Sequence, residues 1–147
     1  MKEYIVQVYK EKTVWRNKDG QLHREDGPAR EWANGDKSWW INGLLHRVDG
    51  PAIEWANGDK QWWINGQEHR VDGPAIEHAN GNKEWWLNGQ VHREDGPAIE
   101  YANGDKEWFL NGEELTEKEF NRRTKPVQEM TMEEVCKALG KIIKIVK

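Results

Sequence analysis

His46-Arg47-Val48-Asp49-Gly50-Pro51-Ala52-Ile53-Glu54-Trp55-Ala56-Asn57-Gly58-Asp59-Lys60-Gln61-Trp62-Trp63-Ile64-Asn65-Gly66-Gln67-Glu68 is one copy of a 23-residue unit that occurs four times, starting at His23, His46, His69 and His92. Fourteen of its 23 positions are identical in all four copies. Self-similarity at a fixed period marks a repeat architecture, in which each copy buries apolar surface against its neighbours. Asn-Gly appears twice per copy, at 57–58 and 65–66 in this one. The dipeptide signals a tight hairpin because a type I′ turn needs positive φ at both central residues.

Residues 52–56 therefore run into Asn57-Gly58, and residues 59–64 return as the second strand. The stretch from Asn65 to Gly73 is then expected to reverse the chain once, as a broad loop. A third strand per copy would leave successive copies pointing in opposite directions, so two strands per copy is the reading adopted. With a two-residue turn at Asn57-Gly58, Trp55 falls opposite Lys60 and Ile53 opposite Trp62. Alternation along a strand then gathers Trp32, Trp55, His78 and Tyr101 with Trp39, Trp62, Trp85 and Trp108 on one side. Ile53, Ile76, Ile99, Ile41, Ile64, Leu87 and Leu110 complete that apolar side. The other side is expected to carry Glu31, Glu54, Glu77, Glu100, the alanines and a rib of Trp40, Trp63, Trp86 and Phe109. A bulged turn would shift the register by one. The fold class is mainly β: a single-layer antiparallel meander of tandem hairpin repeats with a small α/β cap.

Three segments follow. Residues 1–22 hold an opening strand and a degenerate half-repeat, in which Val14-Trp15 corresponds to Trp39-Trp40 and residues 17–20 form a longer corner. Residues 23–114 hold the four repeats. Residues 115–147 form a capping segment, with a capping-box helix from Leu115-Thr116-Glu117-Lys118-Glu119 to about Arg123 and a second helix from Thr131 to Gly140. The β-branched Ile142 to Val146 reads as a strand. Lys137, Lys141, Lys144 and Lys147 could instead face a membrane surface, but Gly140 and the β-branched run count against a continuous amphipathic helix.

Composition narrows the function. Net charge is −4 with 33% charged residues, so no strong single-sign field points to nucleic acid. Cys136 is the only cysteine, which excludes an internal disulfide. The start MKEYIVQVYKEK is charged and alternating, unlike a signal peptide, so the cytoplasm is the expected compartment.

His-Arg-x-Asp-Gly-Pro-Ala is the most polar invariant element. Histidines one repeat apart sit about 10 Å from each other, too far to share a zinc ion, so no metal or other cofactor is expected. Arg24, Arg47, Arg70 and Arg93 form a cationic row with anion-binding potential, opposed by Asp26, Asp49, Asp72 and Asp95 two residues on. The deviations that break the repeat, Arg30, His78, Asn82 and Phe109, assemble no triad, and Cys136 has no evident histidine partner, so no catalysis is expected. The aromatic columns are the leading functional feature, since tryptophan and tyrosine dominate binding hot spots. Trp40, Trp63, Trp86 and Phe109, with Glu54 and Glu77 beside them, form the candidate protein-binding set. Eight strands span about 38 Å, while each tail helix is only about 12–14 Å long, so the tail cannot cover the apolar side. That side must curl, pair with a second copy in a homodimer, or meet another protein.

Trp63-Ile64-Asn65-Gly66-Gln67-Glu68-His69 and Ala102-Asn103-Gly104-Asp105 resemble the MORN repeat, also 23 residues long and also a hairpin unit. The likeness covers about residues 12–114, and H-R-x-D-G-P-A stands where the usual repeat has a glycine-rich G-x-G. This variant also resembles repeat proteins encoded by tailed bacteriophages, and bacterial antitoxin-like forms. The resemblance implies a MORN-like solenoid and a scaffold, dimerisation or adaptor role. For a phage protein it implies docking on a host protein, a toxin or defence effector, and inhibiting it in the host cytoplasm. The alternatives it leaves are a lipid-headgroup or phosphorylated-ligand adaptor and an assembly scaffold.

Overall fold

The computed structural model describes residues 3–125 and 131–140. Its centre is one antiparallel sheet of 11 strands, with two short helices at the C-terminal end. The first strands are β1 (Ile5–Val8) and β2 (Lys12–Arg16), followed in the first copy by β3 (Arg30–Trp32), β4 (Lys37–Ser38), β5 (Trp40–Ile41) and β6 (Leu44–Leu45). The second copy supplies β7 (Ile53–Glu54), β8 (Lys60–Gln61), β9 (Trp63–Ile64) and β10 (Gln67–Glu68). The third supplies β11 (Ile76–Glu77), β12 (Lys83–Glu84), β13 (Trp86–Leu87) and β14 (Gln90–Val91). The fourth supplies β15 (Ile99–Glu100), the longer β16 (Lys106–Leu110) and β17 (Glu113–Leu115). The main sheet runs β1-β2-β3-β4-β7-β8-β11-β12-β15-β16-β17. Each complete copy thus adds two rungs, all copies oriented alike.

The second Asn-Gly differs from the expected broad loop. It closes a small lateral hairpin, β5–β6, β9–β10 or β13–β14, outside the main sheet. Asn65 and Gly66 sit at φ 51° and 79°, the paired positive values of a type I′ turn, and the other three copies repeat this at Asn42, Asn88 and Asn111. Residues 69–75 then carry the chain back to the sheet, so the extra hairpin does not invert the next copy.

The first Asn-Gly is a different turn from the one read in the sequence. Gly58 N donates to Trp55 O at 3.0 Å and Trp55 N to Asp59 O at 3.0 Å, with only Gly58 at positive φ, 98°. This is a type I turn closed by a glycine bulge, which adds one residue to the loop. The register moves with it: Glu54 pairs with Lys60 and Ile53 with Gln61. The expected pairs Trp55 with Lys60 and Ile53 with Trp62 are overturned.

The faces follow from that shift. Trp62 joins Glu54 and Lys60 on what we term the arginine face, while Trp63 joins Ile53, Trp55 and Gln61 on the aromatic face. In the half-repeat, Trp15 N donates to Ala29 O and His23 N to Trp15 O, as Trp39 N does to Ala52 O and His46 N to Trp39 O. Trp15 is therefore the counterpart of Trp39, one position away from the sequence alignment.

Ala29, Ala52, Ala75 and Ala98 are fully buried, and among the described residues no large side chain is buried completely. A single-layer sheet has no deep interior, so the tryptophans are half-buried on its two surfaces. Copies are pegged together at the bulged turns: Asp36 Oδ1 accepts from Ala56 N at 2.8 Å, Asp59 Oδ1 from Ala79 N at 2.7 Å, and Asn82 Oδ1 from Ala102 N at 2.9 Å. The helices start where the sequence places them. In α1 (Glu117–Thr124) Thr116 Oγ1 accepts from Glu119 N, and α2 (Met132–Leu139) has a full Thr131–Glu134 capping box and Gly140 at φ 60°. Helix α1 packs on β16 and β17 and buries Phe120. The strand expected over Ile142–Val146 lies outside the described residues.

Candidate functional site

The arginine face is built from one clamp used four times. Arg70 Nε donates to Asp72 Oδ1 at 3.0 Å, and its Nη1 donates to Pro74 O at 3.0 Å and Glu77 Oε1 at 2.8 Å. Its Cζ lies 3.9 Å above the Trp62 ring. Arg24, Arg47 and Arg93 repeat this on Trp15, Trp39 and Trp85, at 4.2, 3.9 and 3.9 Å. The glycine of Asp-Gly-Pro is set by close approach, since a Cβ at Gly73 would come within 3.0 Å of Arg70 Cζ. Arg47 holds Asp49, and Arg93 holds Asp95, below the usual aspartate range by donating hydrogen bonds to them. Each guanidinium of the row is thus engaged through Nε and Nη1 by two carboxylates and a carbonyl, whose negative charge opposes the approach of an external anion.

The histidines fasten the lateral hairpins. Nδ1 of His23 and His92 accepts the backbone N–H of Asn42 and Asn111 at 3.1 and 2.9 Å, while Nδ1 of His46 and His69 lies 3.2 Å from the backbone N and 2.9 and 3.0 Å from Oδ1 of Asn65 and Asn88. Three equivalent clefts of about 730, 640 and 570 Å³ lie between successive His-Arg-x-Asp-Gly-Pro loops, floored by Trp85 and Leu87, Trp62 and Ile64, and Trp39 and Ile41. At the fourth position Arg123 and Thr124 of α1 stand where a fifth loop would be. Among the described residues no group of three or more His, Cys, Asp or Glu side chains is arranged to hold a metal ion, and none of the helices there is long and apolar enough to cross a membrane.

The aromatic face carries two columns, Trp32, Trp55, His78 and Tyr101 beside Trp40, Trp63, Trp86 and Phe109. Between them runs a row set by cross-strand pairing: Arg30, Ser38, Ile53, Gln61, Ile76, Glu84, Ile99 and Glu107. The indoles of Trp40, Trp63 and Trp86 donate through Nε1 to Ser38 Oγ, Gln61 Oε1 and Glu84 Oε2 at 2.7, 3.1 and 3.0 Å. Where Phe109 lacks that N–H, Glu107 Oε1 accepts the Tyr101 hydroxyl at 3.0 Å and raises its pKa. The repeat-breaking His78 stands in the aromatic column with Nε2 3.3 Å from Glu84 Oε1 and Nδ1 3.8 Å from Asp59 Oδ2.

Arg30 is unlike the clamped arginines. Its Cζ lies 5.9 Å from the Trp32 ring and 5.3 Å from that of Trp40, and its buried Nε has no hydrogen-bond partner. Desolvation, then the charge of Arg16, lowers its pKa.

The binding set read in the sequence is therefore divided. Trp40, Trp63, Trp86 and Phe109 share the aromatic face, while Glu54 and Glu77 lie on the arginine face, paired with Arg47 and Arg70. Sequence reasoning left out Trp55, Tyr101 and Arg30 as neighbours of that rib, and only the bulge at Gly58 reveals them. Neither a protein-family model nor a curated protein matches this chain.

Proposed function

We propose that this chain is a non-catalytic protein-binding module that docks through its aromatic face. The observation that carries it is the pair of half-buried aromatic columns flanking the Ile53, Ile76 and Ile99 row, with no second sheet over them among the described residues. Helix α1 packs at the β16–β17 end. Tryptophan and tyrosine placed this way bury large area at small entropic cost, the property of interface anchors. From the resemblance to phage-encoded repeats, the partner is a host protein, a toxin or defence effector, and the effect is inhibition by occlusion. An adaptor for phosphate or lipid headgroups on the arginine row has less support, because those guanidinium groups are engaged internally.

The test compares the two faces. Partner captured from host lysate with the wild-type chain is identified, purified and titrated calorimetrically against Trp63→Ala/Trp86→Ala and Trp62→Ala/Trp85→Ala. Loss of two central anchors on the aromatic face weakens binding by about 100-fold or more. Equal affinity for the aromatic-face variant, folded by circular dichroism, would refute the docking surface.

A further inference from the structure

The three clefts of the arginine face are alike in floor and unlike in rim. Each lies between two successive His-Arg-x-Asp-Gly-Pro loops, whose x position reads Glu25, Val48, Val71 and Glu94 along the row. The middle cleft is walled by Val48 and Val71, which are 83% and 84% exposed at their loop tips. Each outer cleft is walled by one of these valines and one glutamate, Glu25 on one side and Glu94 on the other.

Charge sorts the same way. In the middle cleft the guanidinium groups of Arg47 and Arg70 are balanced by Asp49 and Asp72. In each outer cleft two guanidinium groups meet three carboxylates, Glu25, Asp26 and Asp49 in one and Asp72, Glu94 and Asp95 in the other. The cation is the shielded member: Arg70 is 23% exposed, against 86% for Asp72 and 80% for Glu94. Lys60 and Lys83 stand in the sheet opposite Glu77 and line none of the three clefts. A ligand reaching all three clefts thus meets negative, apolar and negative surroundings in turn.

Spacing selects its backbone. Successive loops are two strand spacings apart, about 9.6 Å. In polyproline II every third residue returns to the same edge after about 9.3 Å. A β-strand repeats a face after about 6.7 or 13.4 Å, which fits neither way. An α-helix comes round after seven residues at about 10.5 Å and drifts by about 1.8 Å over two steps. Polyproline II drifts by about 0.6 Å over the same distance. Two steps are what the row offers, because Arg123 and Thr124 stand where a fifth loop would be.

We propose that the cleft row binds an extended, proline-rich segment of a protein partner with the pattern basic-x-x-apolar-x-x-basic. Its first and seventh residues enter the outer clefts, and its fourth lies between Val48 and Val71. Proline-rich segments suit aromatic-floored grooves because their backbone is already extended before binding. This surface is on the opposite side of the sheet from the aromatic columns, so the inference stands apart from docking there.

The probe is the end-capped peptide Arg-Pro-Pro-Leu-Pro-Pro-Arg, titrated into the nitrogen-15-labelled full chain by NMR up to about 1 mM. Saturable shifts of the Trp39, Trp62 and Trp85 indole signals are expected. Moving the arginines inward, as Pro-Arg-Pro-Leu-Pro-Arg-Pro, or replacing both with glutamine should each weaken binding by about tenfold or more. Glu94→Val gives the last loop the residue of the two middle ones and should change the preference. Of the two peptides with leucine for one terminal arginine, one then binds that variant about threefold or more tighter than the parent peptide does. No saturable shift by about 1 mM, or shifts confined to the Trp63 and Trp86 indoles, would overturn the proposal. Equal affinity for the inward-spaced or glutamine peptide overturns it without recourse to any variant, and so does an unchanged preference in Glu94→Val.

Discussion

Arg70→Ala removes one clamp and exposes how much the repeat depends on it. The guanidinium donates to half-buried Glu77 at 2.8 Å and to Pro74 O at 3.0 Å, and stacks 3.9 Å over Trp62. Both bonds have a charged donor, and a hydrogen bond to a charged group contributes about 1.5–3 kcal/mol. The cation–π contact adds about 0.5–1 kcal/mol. The arginine and Glu77 side chains are 23% and 35% exposed, so solvent screening takes the ionic part to the low end of its range. The expected loss is about 3–4 kcal/mol, or about 6–16 °C in melting temperature for a chain of this size. Differential scanning calorimetry measures it, with Asp72→Asn as the control. Asp72 is 86% exposed, so its substitution should leave the melting temperature nearly unchanged. An Arg70→Ala protein melting within about 2 °C of wild type, or no lower than Asp72→Asn, would show that the clamp is decoration and not structure.

Asn111→Gly should be nearly neutral and Asn111→Ala should cost about 1 kcal/mol in chemical denaturation, because φ is 51° there; equal losses would contradict a type I′ turn. Gly73→Ala, at a position with no positive φ, should lower the melting temperature because its Cβ would press on Arg70, and restoring stability by adding Arg70→Ala is the signature of that contact; purely additive losses would refute it. Hydrogen bonds from Arg122 and then Arg123 hold Glu119 down to about 2. A depressed carboxylate stabilises above its ordinary value of 4.5 and ceases to as pH falls through about 2, so the α1 amide signals in NMR should hold at neutral pH and fade over that window. Glu119→Gln should abolish the dependence, and the same acid profile in that variant would exclude Glu119 as its source.

The repeat, the orientation of its copies and the two helix caps are legible in the chain because each rests on local chemistry: Asn-Gly, Thr116 with Glu119, Thr131 with Glu134, Gly140. The faces are not, because Asn57-Gly58 and Asn65-Gly66 are the same dipeptide in two turns. At 65–66 both residues take positive φ, whereas at 57–58 the glycine alone does, in a bulge that begins at Trp55. Side chains alternate with period two, so one bulged residue exchanges Trp62 and Trp63 between the faces. Ala56 before the dipeptide and Asp59 after it distinguish the two corners, and the Asp59 N–H to Asn57 Oδ1 bond at 3.0 Å is the local reason. The arginine clamp was hidden for another cause. Arg70 lies eight residues beyond Trp62 and seven before Glu77, and only the folded lateral hairpin brings the three together.

The pegs at the bulged turns each cross a single boundary, from Asp36 to Ala56, Asp59 to Ala79 and Asn82 to Ala102. Gain or loss of a whole copy therefore recreates every junction unchanged and alters reach in steps of about 10 Å. A slip by any other number of residues breaks the junction it touches. Recombination between the near-identical copies is thereby filtered by folding itself: whole-unit exchanges yield intact, longer or shorter descendants, and the size of the surface can drift without any anchor on it having to change.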